Sequence, residues 1–285
     1  MFLTLVFATL RTATPLLFAS LGGLLSERSG IIMIGLEGFL LVGAFAGSAG
    51  AGLTGSSWVG FLFAGISGLL FAALYGFFAI RLRSNQVVAG TAINLLAMGA
   101  TPFCSQILYG STVATPTLPG ERLLGAWVTA LAISCFFLLH FAWKRLPSFL
   151  WLRFAGEHPE ALESAGIRVN RVRWSAVLAA GFLAGLGGGT LSLALSSAFT
   201  RNMSAGRGFM ALAAVILGKW RPIPTFLACL LFAFSEAAQI LLQGVILWGT
   251  EPVPVQWIQI FPYLLTLVVV GGLVGRSRPP TSLGV

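Results

Sequence analysis

Two carboxylates stand inside long apolar stretches of this chain. Glu37 lies in Ile34-Gly35-Leu36-Glu37-Gly38, and Glu236 in Ser235-Glu236-Ala237-Ala238-Gln239. An ionised side chain within a membrane span is costly, so each marks either a translocation pathway or a hydrogen-bond anchor. Gly35 and Gly38 suggest locally opened backbone that Glu37 could cap, which favours the anchor there. For Glu236 the two roles stay level. A third polar set falls on the stretch 86–108. Asn94, Thr101 and Ser105, spaced seven and four apart, share one helical face, and Phe103 is close by in sequence. Such a stripe suits the path of a neutral hydroxylated solute, and it suits hydrogen bonding between helices equally well. Two interior acids are too few for a proton relay.

Soluble enzyme chemistry is excluded by composition. The chain has no Asp, and its two histidines, His140 and His158, stand apart. No HExxH, paired-Cys or Ser-His-Asp set can be assembled. No GxxxxGK[ST] phosphate loop occurs, so any ATP drive must come from another subunit. Cys104, Cys135 and Cys229 lie in apolar runs without metal or redox spacing and read as small core residues. No cofactor or metal is implied.

The elements that must position these groups are membrane helices. Of 285 residues, 57% are hydrophobic and 9% charged, against about 25% charged in a soluble domain. The fold class is an all-α, polytopic membrane protein of about 8–10 transmembrane helices including a short or broken one. The abundance of glycine, 35 residues, fits helices that pack closely in lipid. Spans are expected at 2–25, two within 38–80 joined by a Gly/Ser turn at 50–57, then at 86–108, 123–143, 174–196, 223–243 and 256–275. The first lacks a basic leader region and reads as a span rather than a cleaved signal. Arg11 interrupts it and is expected to snorkel to the outer headgroups. Residues 109–122 read as an exposed loop. The apolar piece 208–218 would make a helix of only about 16 Å, half a bilayer. Residues 1–278 form one transmembrane domain, and the Pro-rich 279–285 reads as a disordered tail.

Counting the half-helix as a crossing gives nine passes with the N-terminus outside. Arg28, Arg81, Arg83, Lys144, Arg145, Arg153, Arg168, Arg171, Arg173, Lys219, Arg221, Arg276 and Arg278 then fall inside, thirteen of the 17 basic residues. Arg122, Arg201 and Arg207 fall outside. This asymmetry fixes the orientation and accounts for the net charge of +9 without nucleic acid.

Between two spans lies a polar island, residues 153–168, with three of the chain's eight acids: Glu157, Glu160 and Glu163. Pro159 suits a first helical position, the glutamates suit the positive end of a helix, and Gly166 suits its stop. The island reads as a short exposed helix on the cytoplasmic side, either gripped by a soluble partner or an ordinary loop helix. A further pattern links Gly38–Gly47 with Gly208–Gly218. Both open Gly-Phe and close on Gly after an apolar run, and they cross in opposite directions, as an inverted repeat requires.

Four stretches carry a resemblance to permease subunits of bacterial ABC importers of the branched-chain amino acid, ribose and nucleoside class, closest to the simple-sugar/nucleoside branch. They are Ser26-Glu27-Arg28-Ser29-Gly30-Ile31 through Gly38; Leu82-Arg83-Ser84-Asn85-Gln86 through Leu96; Gly156-Glu157-His158-Pro159-Glu160-Ala161 through Ile167; and Gly206-Arg207-Gly208-Phe209 through Pro222. Phe261-Pro262-Tyr263-Leu264-Leu265-Thr266 is also similar. The resemblance implies that the island couples to an ABC ATPase, with Gly156, Glu157, Pro159, Glu160, Ala161, Ala165 and Gly166 as docking residues. It implies a second homologous permease, an extracytoplasmic solute-binding protein, and a nucleoside or simple sugar as solute. The pathway candidates are then Glu37, Gly38, Asn94, Thr101, Phe103, Ser105 and Glu236. Met33 stands where the family pattern leads one to expect Asn. The alternative is an ion-coupled secondary transporter or channel for a small polar solute; a membrane enzyme is remote.

Overall fold

The computed structural model describes residues 2–119, 124–242 and 279–284. Among these residues the chain is helical, with one isolated bridge, Ala114–Thr200, and no strand. The helices are α1 (Phe2–Arg28), α2 (Leu36–Thr54), α3 (Ser57–Gly76), α4 (Gln86–Tyr109), α5 (Trp127–Arg145), α6 (Pro147–Glu157), α7 (Pro159–Ser164), α8 (Val169–Thr190), α9 (Arg207–Leu217) and α10 (Pro222–Leu242). A π-helical turn extends α3 over Phe77–Arg81, and another extends α8 over Leu191–Leu195. Among the described residues, seven helices are long and apolar enough to cross a membrane, and α9, with 11 residues, is a shorter apolar helix. The span expected at 256–275 lies outside the described residues.

Most boundaries follow from local chemistry. The α2–α3 turn comes at Gly55, whose φ of +73° only glycine adopts without strain. Pro159 opens α7 as its first residue, where a missing N–H costs nothing. Two regions differ most from the sequence reading. Helix α8 starts at Val169, not 174, and so takes Arg171 and Arg173 into its first turns. Helix α6 fills part of what reads as a plain polar connection. Its Leu150, Trp151 and Phe154 stay exposed, so it is an amphipathic helix at the bundle's end and not a buried one.

Helices α1, α2 and α8 form the interior, and α5 is the most exposed of the spans. The interior is tight because α8 presents small residues to its neighbours. A Cβ added to Gly188 would lie 1.9 Å from the Leu40 carbonyl oxygen, and one on Gly185 would lie 2.3 Å from that of Ala64. Backbones touch there, which replaces the hydrophobic drive that lipid cannot supply. On α5, Phe137, Leu138 and Phe141 face outward, as lipid contact requires.

The two ends of the bundle differ in character. At one end, the segment 111–118 does not hang free as an exposed loop. Thr115 N donates to Phe199 O (3.0 Å), Leu118 N to Ser197 O (2.7 Å), and Arg201 N to Val113 O (2.7 Å). Arg11 also binds at this end, donating from Nη2 to Ala194 O at 2.8 Å. The other end carries Arg28, Arg81, Arg83, Lys144, Arg145 and Arg153, and the positive-inside rule makes it cytoplasmic.

Candidate functional site

Two helices begin inside the bundle, and their starts meet. From Ser29 to Gly35 the chain is not helical, yet this segment is buried or nearly so. Backbone groups there need partners, because neither lipid nor packed side chains can supply them. Side chains from three helices do. Ser26 Oγ donates to Ile31 O (3.0 Å). Gln86 Oε1 accepts from Ile32 N (2.7 Å), and Tyr75 OH donates to Ile32 O. Asn94 closes the set: its Oδ1 accepts from Gly38 N (2.8 Å) and its Nδ2 donates to Ile34 O (3.0 Å). Met33 is fully buried in this segment, and its amide faces the Glu27 carboxylate.

The second start is that of α9. Gly206 has φ +85° and precedes the first turn, whose amide groups have no partner within the helix. Glu37 supplies it. Oε1 accepts from Gly206 N at 2.8 Å, and Oε2 accepts from Gly208 N at 2.7 Å. Glu37 itself lies in the first turn of α2, so one carboxylate sits at the positive ends of two helices. Gly208 allows the approach: a Cβ there would fall 2.4 Å from Glu37 N. Arg207, the first residue of α9, pairs with Glu236 of α10 and also donates from Nη1 to Met203 O (3.1 Å).

This corrects one placement. Arg207 does not lie at the outer surface. Helix α9 ends beside Trp220, whose Nε1 donates to Glu27 Oε2 (2.6 Å) at the basic end of α1. The 11 residues of α9 reach about 16 Å from there, well short of the roughly 40 Å of 27-residue α1. Arg207 and Glu236 are thus an interior ion pair. Helices α2 and α9 run away from this level in opposite directions, as the Gly38 and Gly208 patterns suggest.

The remaining candidates divide. Thr101 is buried and donates to Ala97 O within α4 (2.9 Å), and Ser105 is buried with no partner among the described residues. Phe103 is 66% exposed, on the opposite side of α4. Nine residues after Asn94, it is about half a turn out of register, so the helical period already separates it from the polar stripe.

At the cytoplasmic end, α6 and α7 form a bent pair. Gly156 is buried, and a Cβ there would lie 2.3 Å from Arg28 O. Glu157 pairs with Arg28 (2.6 Å). Leu162 anchors α7 against Ala155 and Val169. Pro159 is half-buried, whereas Glu160, Ala161, Ala165 and Gly166 are exposed. The C-terminal residues 279–284, which read as a disordered tail, form a turn held on this pair. Ser282 N and Oγ both donate to Gly156 O (2.9 and 2.6 Å), and Gly284 N donates to Gly30 O (3.0 Å). Backbone amides, invisible in composition, hold this turn together with the hydroxyls of Thr281 and Ser282. Sequence reasoning missed Glu27, Tyr75, Gln86 and Leu162 as structural anchors. The one available signal was a polar or apolar residue out of keeping with its surroundings.

Comparison with known proteins agrees with the architecture. The family described as branched-chain amino acid transport system / permease component matches residues 5–270. The guanosine ABC transporter permease protein NupQ of Bacillus subtilis is 35% identical, over 98% of this chain and 94% of its own length. The nucleoside ABC transporter permease protein NupC of Lactococcus lactis is 34% identical, over 96% and 93%. The putative glucose ABC transporter permease protein TsgC13 of Haloferax volcanii is 32% identical, over 95% and 92%. No solved structure matches the chain. This multi-pass membrane protein belongs to the branched-chain amino acid transport system permease family and is the permease component of an ABC transporter.

Proposed function

We propose that the chain imports a nucleoside, driven by ATP hydrolysis on a separate ATPase that grips α7. The observation that carries the coupling role is the build of α7. Its six residues hang on one buried anchor, Leu162, while Glu160, Glu163 and Ser164, with Ala161 between them, present a largely polar surface that the chain's own described residues do not cover. The docking residues are then Pro159, Glu160, Ala161, Ala165 and Gly166. Gly156 and Glu157 act behind them by tying the lever to α1, so a pull on α7 is transmitted to the Arg28 end of that helix.

The nucleoside assignment rests on what the NupQ and NupC relatives are named for. The solute path runs along the exposed face of α4 that carries Phe103 and Gln106, completed by a second permease. An aromatic ring beside an amide suits a base and its hydrogen-bonding edge. Asn94, Thr101 and Ser105 lie behind that face on α4, Glu37 and Gly38 abut Asn94 from α2, and Glu236 holds Arg207 at the start of α9. An extracytoplasmic binding protein delivers the solute at the end where 111–118 pairs with 197–201. Both oxygens of Glu37 are engaged by Gly206 and Gly208, and one oxygen of Glu236 by Arg207, which argues against an ion-coupled carrier.

The test is nucleoside uptake in vesicles bearing the assembled complex. Uptake should require ATP and stop when the ATPase subunit is catalytically dead. Uptake that persists with the dead ATPase would overturn the proposal.

A further inference from the structure

A cavity of about 900 Å³ opens at the cytoplasmic end where α1, α5, α6 and α10 meet. Among the described residues five cations line it, Arg28, Lys144, Arg145, Arg153 and Arg221, and no acidic residue does. Arg28 spends its charge on Glu157 and on the face of Trp143, 5.9 Å from the ring centre. None of the other four makes an ion pair among the described residues. Arg153 and Arg221 both repel Arg28 across the cavity. Such crowding is unfavourable unless an anion relieves it.

Two buried atoms point the same way. Arg153 Nε and His140 Nδ1 are shut off from solvent and have no hydrogen-bond partner among the described residues. Buried polar groups are normally satisfied, so two residues of this wall keep hydrogen-bonding capacity that the protein itself does not use. Helices α6 and α10 also begin at this cavity, at Pro147 and Pro222, which adds the positive ends of two helix dipoles.

The rest of the wall identifies the anion's carrier. Trp143, Leu150 and Ile223 make one side apolar. Above them, Phe141 on α5 and Leu227 on α10 are 61% and 59% exposed toward the lipid. Helix α6 beside the cavity presents Trp151 and Phe154 outward, as a helix lying in the membrane surface does. A soluble anion would need the cations alone, whereas this cavity pairs them with a greasy exit along two spans. We propose that it is a binding site for an anionic phospholipid. The phosphate is held by Arg153 and Arg221, and the acyl chains lie along α5 and α10. Basic pockets between helices on the cytoplasmic side recognise such headgroups by this combination. A lipid seated there would wedge α6, and through it α7, against the bundle.

The test is native mass spectrometry of the full-length chain incubated with equal amounts of phosphatidylglycerol and phosphatidylcholine. Phosphatidylglycerol should be retained about tenfold over phosphatidylcholine. Arg153→Gln/Arg221→Gln should abolish that preference, and Arg153→Lys/Arg221→Lys should keep most of it, which separates lost charge from lost fold. Arg81→Gln/Arg83→Gln, at the same end but outside the cavity, should leave it intact. Equal retention of both lipids, or equal loss in the Arg81/Arg83 control, would overturn the proposal. Displacement of the lipid by millimolar inorganic phosphate would assign the site to the free anion and overturn the lipid. Displacement by the ATPase subunit, lost with the glutamine variant, would assign it to that protein instead.

Discussion

The interior cluster around Glu37 and the cytoplasmic end around Arg153 treat charge in opposite ways. Inside, Glu37 is met by two amide groups, Arg207 by Glu236, and the open backbone of 31–38 by Gln86, Tyr75 and Asn94. At the cytoplasmic end, Lys144, Arg145, Arg153 and Arg221 have no ion-pair partner among the described residues, and α7 turns its acids outward. The cause is the medium. Within lipid an unmatched polar group costs several kcal/mol, on the order of the protein's whole margin of stability, so the chain matches most of its own, with Ser105 Oγ and one oxygen of Glu236 among the exceptions. At the interface water tolerates a surplus, and the surplus is left for partners.

That contrast can be tested from its strongest point downward. Glu37→Ala strips two buried amides of a charged acceptor and should cost about 3–6 kcal/mol, at the usual value for two such bonds. The midpoint of heat-induced loss from size-exclusion chromatography measures it. Glu37→Gln, with one acceptor oxygen left, should recover roughly half. Stability unchanged in Glu37→Ala would mean that water already fills the break.

The interior ion pair comes next. Arg207→Met leaves Glu236 unpaired and only 18% exposed, at up to about 3 kcal/mol, the low end for a buried pair, whereas Arg207→Met/Glu236→Leu should restore most of the loss. A double variant no better than the single one would show that the pair is wet or acts in transport. Asn94→Ala removes both bonds that bracket α2's start and should cost about 1–3 kcal/mol. Uptake should fall with the amount of folded protein, not beyond it; a larger fall would return Asn94 to the solute path.

The cytoplasmic substitutions should barely touch stability. Glu157→Gln breaks a half-exposed pair with Arg28, worth about 1 kcal/mol or less. Its larger consequence should be weaker coupling of ATP hydrolysis to uptake, read as ATP consumed per solute moved. Glu160→Lys lies on the exposed face of α7 and should shift stability by no more than about 0.5 kcal/mol, yet lower co-purification of the ATPase. Wild-type co-purification would remove α7 from the coupling surface.

Much of the architecture was legible from periodicity and punctuation. The α4 span, read as 86–108, is Gln86–Tyr109, and the half-helix read as 208–218 is Arg207–Leu217. Apolar length, a glycine at several of the turns and basic residues at one end suffice for that, because lipid allows few alternatives to a helix. The site was less legible. Glu37 could be read as a cap, but not which helix it caps, since Gly206 and Gly208 lie about 170 residues further along. Arg207 read as external because a basic residue before an apolar run normally marks a loop. Its partner on α10 is what lets it stay inside.

The amino-acid order alone determined that this chain is a bundle of membrane helices, that its basic residues gather at one end, and that α7 would form and stop where Pro159 and Gly166 place it. Those outcomes follow from local rules of hydropathy, charge and backbone freedom. Only the tertiary structure decided which polar groups serve the fold and which are left for partners. That division depends on distances between residues far apart in sequence, and no local rule measures them.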